Sequence, residues 1–268
     1  MKKIILGVAS VVALSSSAFA ADLYKGGSLK DAPVYEAPAT WTGFYLGVHG
    51  GYGFGDLDGR VYYNPGTPVY DIADKQKTQF DGGFGGGQIG YNKQISSIVL
   101  GIEADISGSA IEGKDTFTTK SYWGNGAGTY SKTFDATVDY FGTVRGRIGY
   151  AFGGVLPYVT GGFAWGHVEL DNTVFGNGEG AVTDKGNADA TLTGWTAGGG
   201  LEAALTGNWS LKTEYLYVDL GDEDFHVIGK KTNGNVFDTD HYKGDVTFHT
   251  VKLGLNYKFG GNVYEPLK

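Results

Sequence analysis

Charged residues recur at every second position through much of this chain, and they are where its chemistry could reside. Glu103 and Asp105 alternate with Leu100, Ile102, Ala104 and Ile106. Asp139, Arg145 and Arg147 alternate with Val138, Tyr140, Val144 and Ile148. Glu202, Lys212, Glu214, Lys252 and Lys258 repeat the pattern further on. A period of two is that of a β-strand, so these charges share the face opposite their apolar neighbours. Five acids then meet five bases. Arginine offers a planar fork that grips a carboxylate in bidentate fashion. If residue 98 lies near residue 151, Glu103 comes near Arg147 and Asp105 near Arg145. Two functions are open to such a set. An excess of one sign suits an ion-selective pore. A balanced set suits a structural plug, because an enclosed charge without a partner is costly.

The other reactive types are sparse. Cysteine is absent, which removes disulfides, thiolate metal sites and thiol nucleophiles together. His49 falls on the same face as the charges, and serines are common. A Ser–His pair is established by geometry and not by counting, so a packing histidine is the plainer reading. His167 stands near an outer strand end. His226 and His241 fall in the last long connection, with Tyr242 beside the second. Haem iron accepts His or Tyr, which makes these four the candidate haem ligands. No metal-ligand spacing joins them, and solvated surface histidines are the plainer reading. The acid-rich stretches 56–59 and 219–224 lack the calcium-loop pattern.

These side chains need a frame. Eight alternating segments provide one, at about 42–54, 80–93, 98–109, 137–151, 156–168, 191–204, 209–219 and 246–259. The connections alternate in length. Those at 55–79, 110–136, 169–190 and 220–245 read as long loops, and those at 94–97, 152–155 and 205–208 as tight turns. This plan predicts an all-β fold, an eight-stranded antiparallel transmembrane up-and-down β-barrel. The alternative is a soluble barrel of the lipocalin or streptavidin type, with the apolar face inward. Aromatic residues argue for the membrane. Trp41, Tyr91, Tyr150, Tyr158, Trp209, Tyr257 and Phe259 all fall at the ends joined by short turns, as a periplasmic girdle would. The 47 glycines carry no collagen period, and 18 Tyr with 15 Phe exclude a disordered chain. An eight-stranded lumen has room only for side chains that fill it, which favours the plug over the pore.

The N-terminus carries an address. Lys2 and Lys3 precede an apolar run from Ile4 to Leu14, then Ala18-Phe19-Ala20, the pattern of a signal peptide cleaved after Ala20. Residues 1–20 are therefore read as signal peptide. Residues 21–40, with Pro33 and Pro38, are read as a periplasmic leader, 41–259 as the barrel and 260–268 as a C-terminal extension. Loss of the two lysines takes the net charge from −8 to −10. An acidic chain is poorly suited to nucleic acid.

Several segments also resemble a known family. They are Trp41–Tyr45, Gly86–Asn92, Val99–Glu103, Phe141–Tyr150, Tyr158–Gly166, Asn208–Tyr217 and Phe248–Phe259. In order and number they resemble the alphaproteobacterial small outer-membrane porin-like and surface-antigen family, which includes haem-binding surface proteins. The resemblance implies a barrel of the OmpA membrane-domain type. Family barrels usually end at the aromatic residue matched here by Phe259, whereas this chain continues to Lys268. Together these readings predict a non-enzymatic outer-membrane surface protein that supports envelope integrity and surface recognition. The alternatives are a narrow porin and a haem or host-ligand receptor. The expected partners are outer-membrane lipid and lipopolysaccharide, the barrel assembly machinery, and a host ligand or haem, with no nucleic acid. No cofactor besides haem is implied.

Overall fold

Eight antiparallel strands form the described structure, a computed structural model covering residues 40–62, 75–123, 126–177, 183–230 and 236–260. They are β1 (Gly43–Tyr62), β2 (Lys75–Ile95), β3 (Ile98–Trp123), β4 (Gly126–Tyr150), β5 (Val155–Asn177), β6 (Thr183–Ala204), β7 (Trp209–Lys230) and β8 (Val236–Phe259). Each strand pairs with the next, and β1 pairs with β8, so the sheet closes. Closure leaves no edge of unpaired backbone, which lipid does not tolerate. The stretch read as a signal peptide, nearly all of the stretch read as a leader, and all but Gly260 of the stretch read as a C-terminal extension lie outside the described residues.

Tight turns join the strands at one end, at Ser96–Ser97, 151–154 and 205–208. Gly153 and Gly207 supply the left-handed backbone that the last two require, with φ of +58° and +71°. The opposite end departs from expectation. Stretches read as long loops continue the ladder instead: Asp56 pairs with Gln79, Lys114 with Asp135, Asp171 with Asn187 and Val227 with Asp240. The strands reach 26 residues in β3, where roughly 9–11 suffice to cross a membrane. These outer segments lack the alternation of a lipid-facing strand, so they read as loops. A ladder already in register below them extends at little further cost in chain entropy.

The reason they lack it is an inversion along the barrel. In the half next to the turns, apolar side chains point out. Phe44, Val48 and Ile102 are 61%, 64% and 67% exposed, and Leu46, Ile106 and Leu253 share their face. Such a belt is a lipid-facing surface and rules out the soluble alternative for this half. In the far half the apolar side chains point in. Phe80, Phe84, Ile111, Val138, Phe141, Leu216, Val218, Val246 and Phe248 form one buried cluster, while Glu112, Asp171 and Asp189 are exposed outside. The far half thus has the sidedness of a soluble barrel.

A β-bulge marks the change of character on β4. Val138 pairs with Val168 and Tyr140 with His167, leaving Asp139 as the extra residue. The bulge shifts the parity by one, so Val138 turns inward, where the alternation had placed it outward.

Candidate functional site

The interior beside the apolar belt is filled by charge. Glu103 and Asp105 come from β3, Arg145 and Arg147 from β4, Glu202 from β6, Lys212 and Glu214 from β7, and Lys252 from β8. All eight are buried. Arg145 sits at the centre. Its Nη2 donates to Glu103 Oε1 at 2.6 Å and to Asp105 Oδ2 at 2.7 Å, and its Nη1 lies 3.0 Å from Glu214 Oε1. Lys212 donates to both oxygens of Glu103 at 2.8 Å. Lys252 bridges Asp105 at 3.1 Å and Glu214 at 2.9 Å. Arg147 donates to Glu202 at 3.0 Å and lies 3.8 Å from Glu103. The tier therefore joins four carboxylates to four cations with no surplus of either sign.

Neutral residues complete it. The Tyr45 hydroxyl donates to Glu103 and the Tyr158 hydroxyl to Glu214, each at 2.7 Å. The same two rings flank the Arg147 guanidinium at 5.0 and 5.1 Å. Thr143 donates to Asp105, Ser210 and Asn256 donate to Glu202, and Asn92 accepts from Arg147 Nε. Glycine makes the room. A Cβ at Gly90 would collide with the Tyr45 ring, and one at Gly200 with the Tyr158 ring. Charges removed from water are tolerated when their lone pairs and protons are shared among partners, and this arrangement does so for all but a few atoms, Arg147 Nη2 having no acceptor among the described residues.

The ten charges expected inside do not all meet. Asp139 sits half-buried at the bulge, outside the tier. Lys258 lies at the mouth on the side of the tight turns, where its Nζ donates to the Thr40 carbonyl. The β3–β4 register also differs from expectation. Ile98 pairs with Tyr150, which sets Glu103 opposite Arg145 and Asp105 opposite Thr143. The tight turn at the other end of β4 begins at 151, so the expected pairing was displaced by one residue.

The expected girdle divides. Tyr150, Trp209, Tyr257 and Phe259 are exposed, and Tyr91 packs on exposed Phe44. Trp41 and Tyr158 are corrections. Both are buried inside, because Tyr158 shares the parity of Thr160 and Trp41 precedes the strand. A second girdle, which the alternation does not single out, lies at the outer boundary. Tyr140 stacks on His167, Trp195 meets Tyr217, and His249 lies between Phe54 and Tyr215. The step from Phe259 to His249 is roughly 26 Å high for a strand tilted by about 40°, the height of an outer-membrane apolar band.

The histidines give no reaction centre among the described residues. His49 Nε2 lies 2.8 Å from Ser107 Oγ, and its Nδ1 lies 3.1 Å from Gln88 Oε1. The pair is buried beside Phe84, between the ionic tier and the apolar cluster. His167 lies flat against Tyr140, with Nδ1 3.3 Å from Thr191 Oγ1. His226, His241 and Tyr242 belong to strands and not to a loop, and the ladder sets His226 opposite His241. Their side chains lie outside the described residues.

A family model and two sequence relatives agree with this architecture. A family model described as an outer membrane protein β-barrel domain matches residues 6–259. The 31 kDa outer-membrane immunogenic protein of Brucella melitensis is 38% identical, over 97% of this chain and 100% of its own. The 22 kDa outer membrane protein of Rhizobium leguminosarum bv. viciae is 30% identical, over 86% of this chain and 83% of its own. Among solved structures, OprG of Pseudomonas aeruginosa is 12% identical and covers 82% of this chain and 97% of its own, with a TM-score of 0.45.

Proposed function

The chain belongs to the outer membrane protein β-barrel domain family, and from that premise we propose that it is a sealed, non-enzymatic barrel supporting envelope integrity. It is a surface protein of the outer membrane. One observation carries the reading: a balanced ionic tier lies directly beneath a packed apolar tier in the same lumen. A conducting path needs water and a field of one sign, and neither tier offers them. The ionic tier braces the wall by tying β3, β4, β6, β7 and β8 together across the interior. The apolar tier does the same for the half that projects beyond the membrane.

In this reading residues 1–20 direct export and are removed, and the barrel assembly machinery inserts the chain. Lipid and lipopolysaccharide then surround the belt. The extended strands present their polar outer faces to the surroundings, which is where surface recognition would occur. The Brucella relatives are described as immunogenic, and the same exposure supports recognition here. Solute uptake tests the seal. Proteoliposomes containing the refolded protein should swell in arabinose no faster than empty liposomes. Swelling that increases with protein content would reject the reading in favour of a narrow porin.

A further inference from the structure

Trp41 stands ahead of β1, yet its indole is inside the barrel. It is 5% exposed and packs on Val99 of β3 and Leu156 of β5. Val99 shares the inward parity of Glu103 and Asp105, and Leu156 that of Tyr158 and Thr160. β3 and β5 are two and four strands away from β1 around the wall. A side chain that reaches both from the foot of β1 must lie across the mouth.

The backbone around it is tied down. The Trp41 N–H donates to Gln94 Oε1 at 2.8 Å, and the Gln94 N–H donates to Thr42 Oγ1 at 2.9 Å. Lys258 Nζ donates to the Thr40 carbonyl. Gln94 is on β2 and Lys258 on β8, so three consecutive residues straddle the foot of β1. The indole N–H has no acceptor among the described residues. The side chain is therefore held by packing, while the main chain is held by hydrogen bonds.

What lies above the indole is the ionic tier. Gly101, the next inward position after Val99, pairs with Arg147, and Leu156 pairs with Glu202. The indole thus separates the Arg147–Glu202 pair from the periplasmic side. We propose that Trp41 is a cork, a side chain from the segment before the barrel that closes the periplasmic mouth. The lumen then has a third seal, independent of the outer apolar tier.

The natural chain has no cysteine, so a single introduced thiol reports access cleanly. Val99→Cys is made in the full chain alone, with Trp41→Ala and with Trp41→Phe. Labelling by a small cationic methanethiosulfonate is compared with Thr206→Cys, placed in an exposed turn. Val99→Cys alone should react far more slowly than the turn cysteine. Adding Trp41→Ala should raise the rate at least about tenfold, and Trp41→Phe should largely restore protection. Equal rates in all three Val99→Cys proteins would overturn the proposal. Heat-modified gel mobility checks that each barrel is closed. A second measurement does not depend on these variants folding. A protein retaining only Trp41, its other tryptophans replaced by Phe, should resist quenching by both acrylamide and lipids brominated on their chains. Quenching by the brominated lipid to the extent seen with Trp209 alone would place the indole at the lipid boundary and overturn the cork.

Discussion

Arg145 and Arg147 divide the work of the ionic tier. Arg145 gathers three carboxylates at the centre, while Arg147 ties Glu202 beneath and lies between two tyrosine rings. Removing either leaves carboxylates buried without their partner, a loss of roughly 3–5 kcal/mol. Arg147→Ala should therefore lower the urea midpoint of unfolding while leaving bilayer conductance at the background level. A large rise in conductance at unchanged stability would show that the residue gates a path instead of bracing a wall. Much of this tier was legible in the chain. Alternation alone placed the eight charges that meet, because a strand has only two faces. It could not place Asp139, since a bulge changes parity without a signature in residue type. Tyr158 was misread because an aromatic at a strand end suits a girdle and a lumen equally. The hydroxyl that reaches Glu214 depends on the barrel's curvature.

At the scale of the strand, the inversion of sidedness is the principal finding. Each strand serves a membrane wall at one end and a projecting barrel at the other. Alternation fades where both faces become mixed, and outer segments such as 110–123 then read as loops. The outer girdle lies within the segments that read as strands, on the same parity as the rest of the lipid face, so nothing in residue type set it apart. Two outcomes follow from this division. Phe248 is fully buried against Phe80 and Phe141. Phe248→Ala should cost about 3–5 kcal/mol, read as a lowered urea midpoint. If Phe248 instead faced a water-filled channel, the substitution would cost far less. Trp209, at the inner girdle beside Tyr257, should be quenched by chain-brominated lipid as the only tryptophan in the protein. Indifference to that lipid would move the inner boundary of the membrane.

For the molecule as a whole, closure and occlusion are separate properties. The β1–β8 ladder runs from Phe44–Phe259 to Tyr62–His241 and joins the first and last strands in one seam. A closed sheet of this kind resists detergent, so the protein should migrate differently on gels before and after boiling. Identical mobility would contradict closure. Occlusion was only half legible beforehand. The small lumen and the balanced charges pointed to a plug, but the apolar tier above it did not show, because Phe80, Phe141 and Phe248 fall on the face that the alternation assigns to polar residues.

The seal is the central claim, and conductance measures it directly. Refolded protein in a planar lipid bilayer at high salt should show no stable unitary currents above the leak of the membrane. Reproducible unitary steps from the closed, heat-modifiable form would contradict a lumen sealed by these tiers.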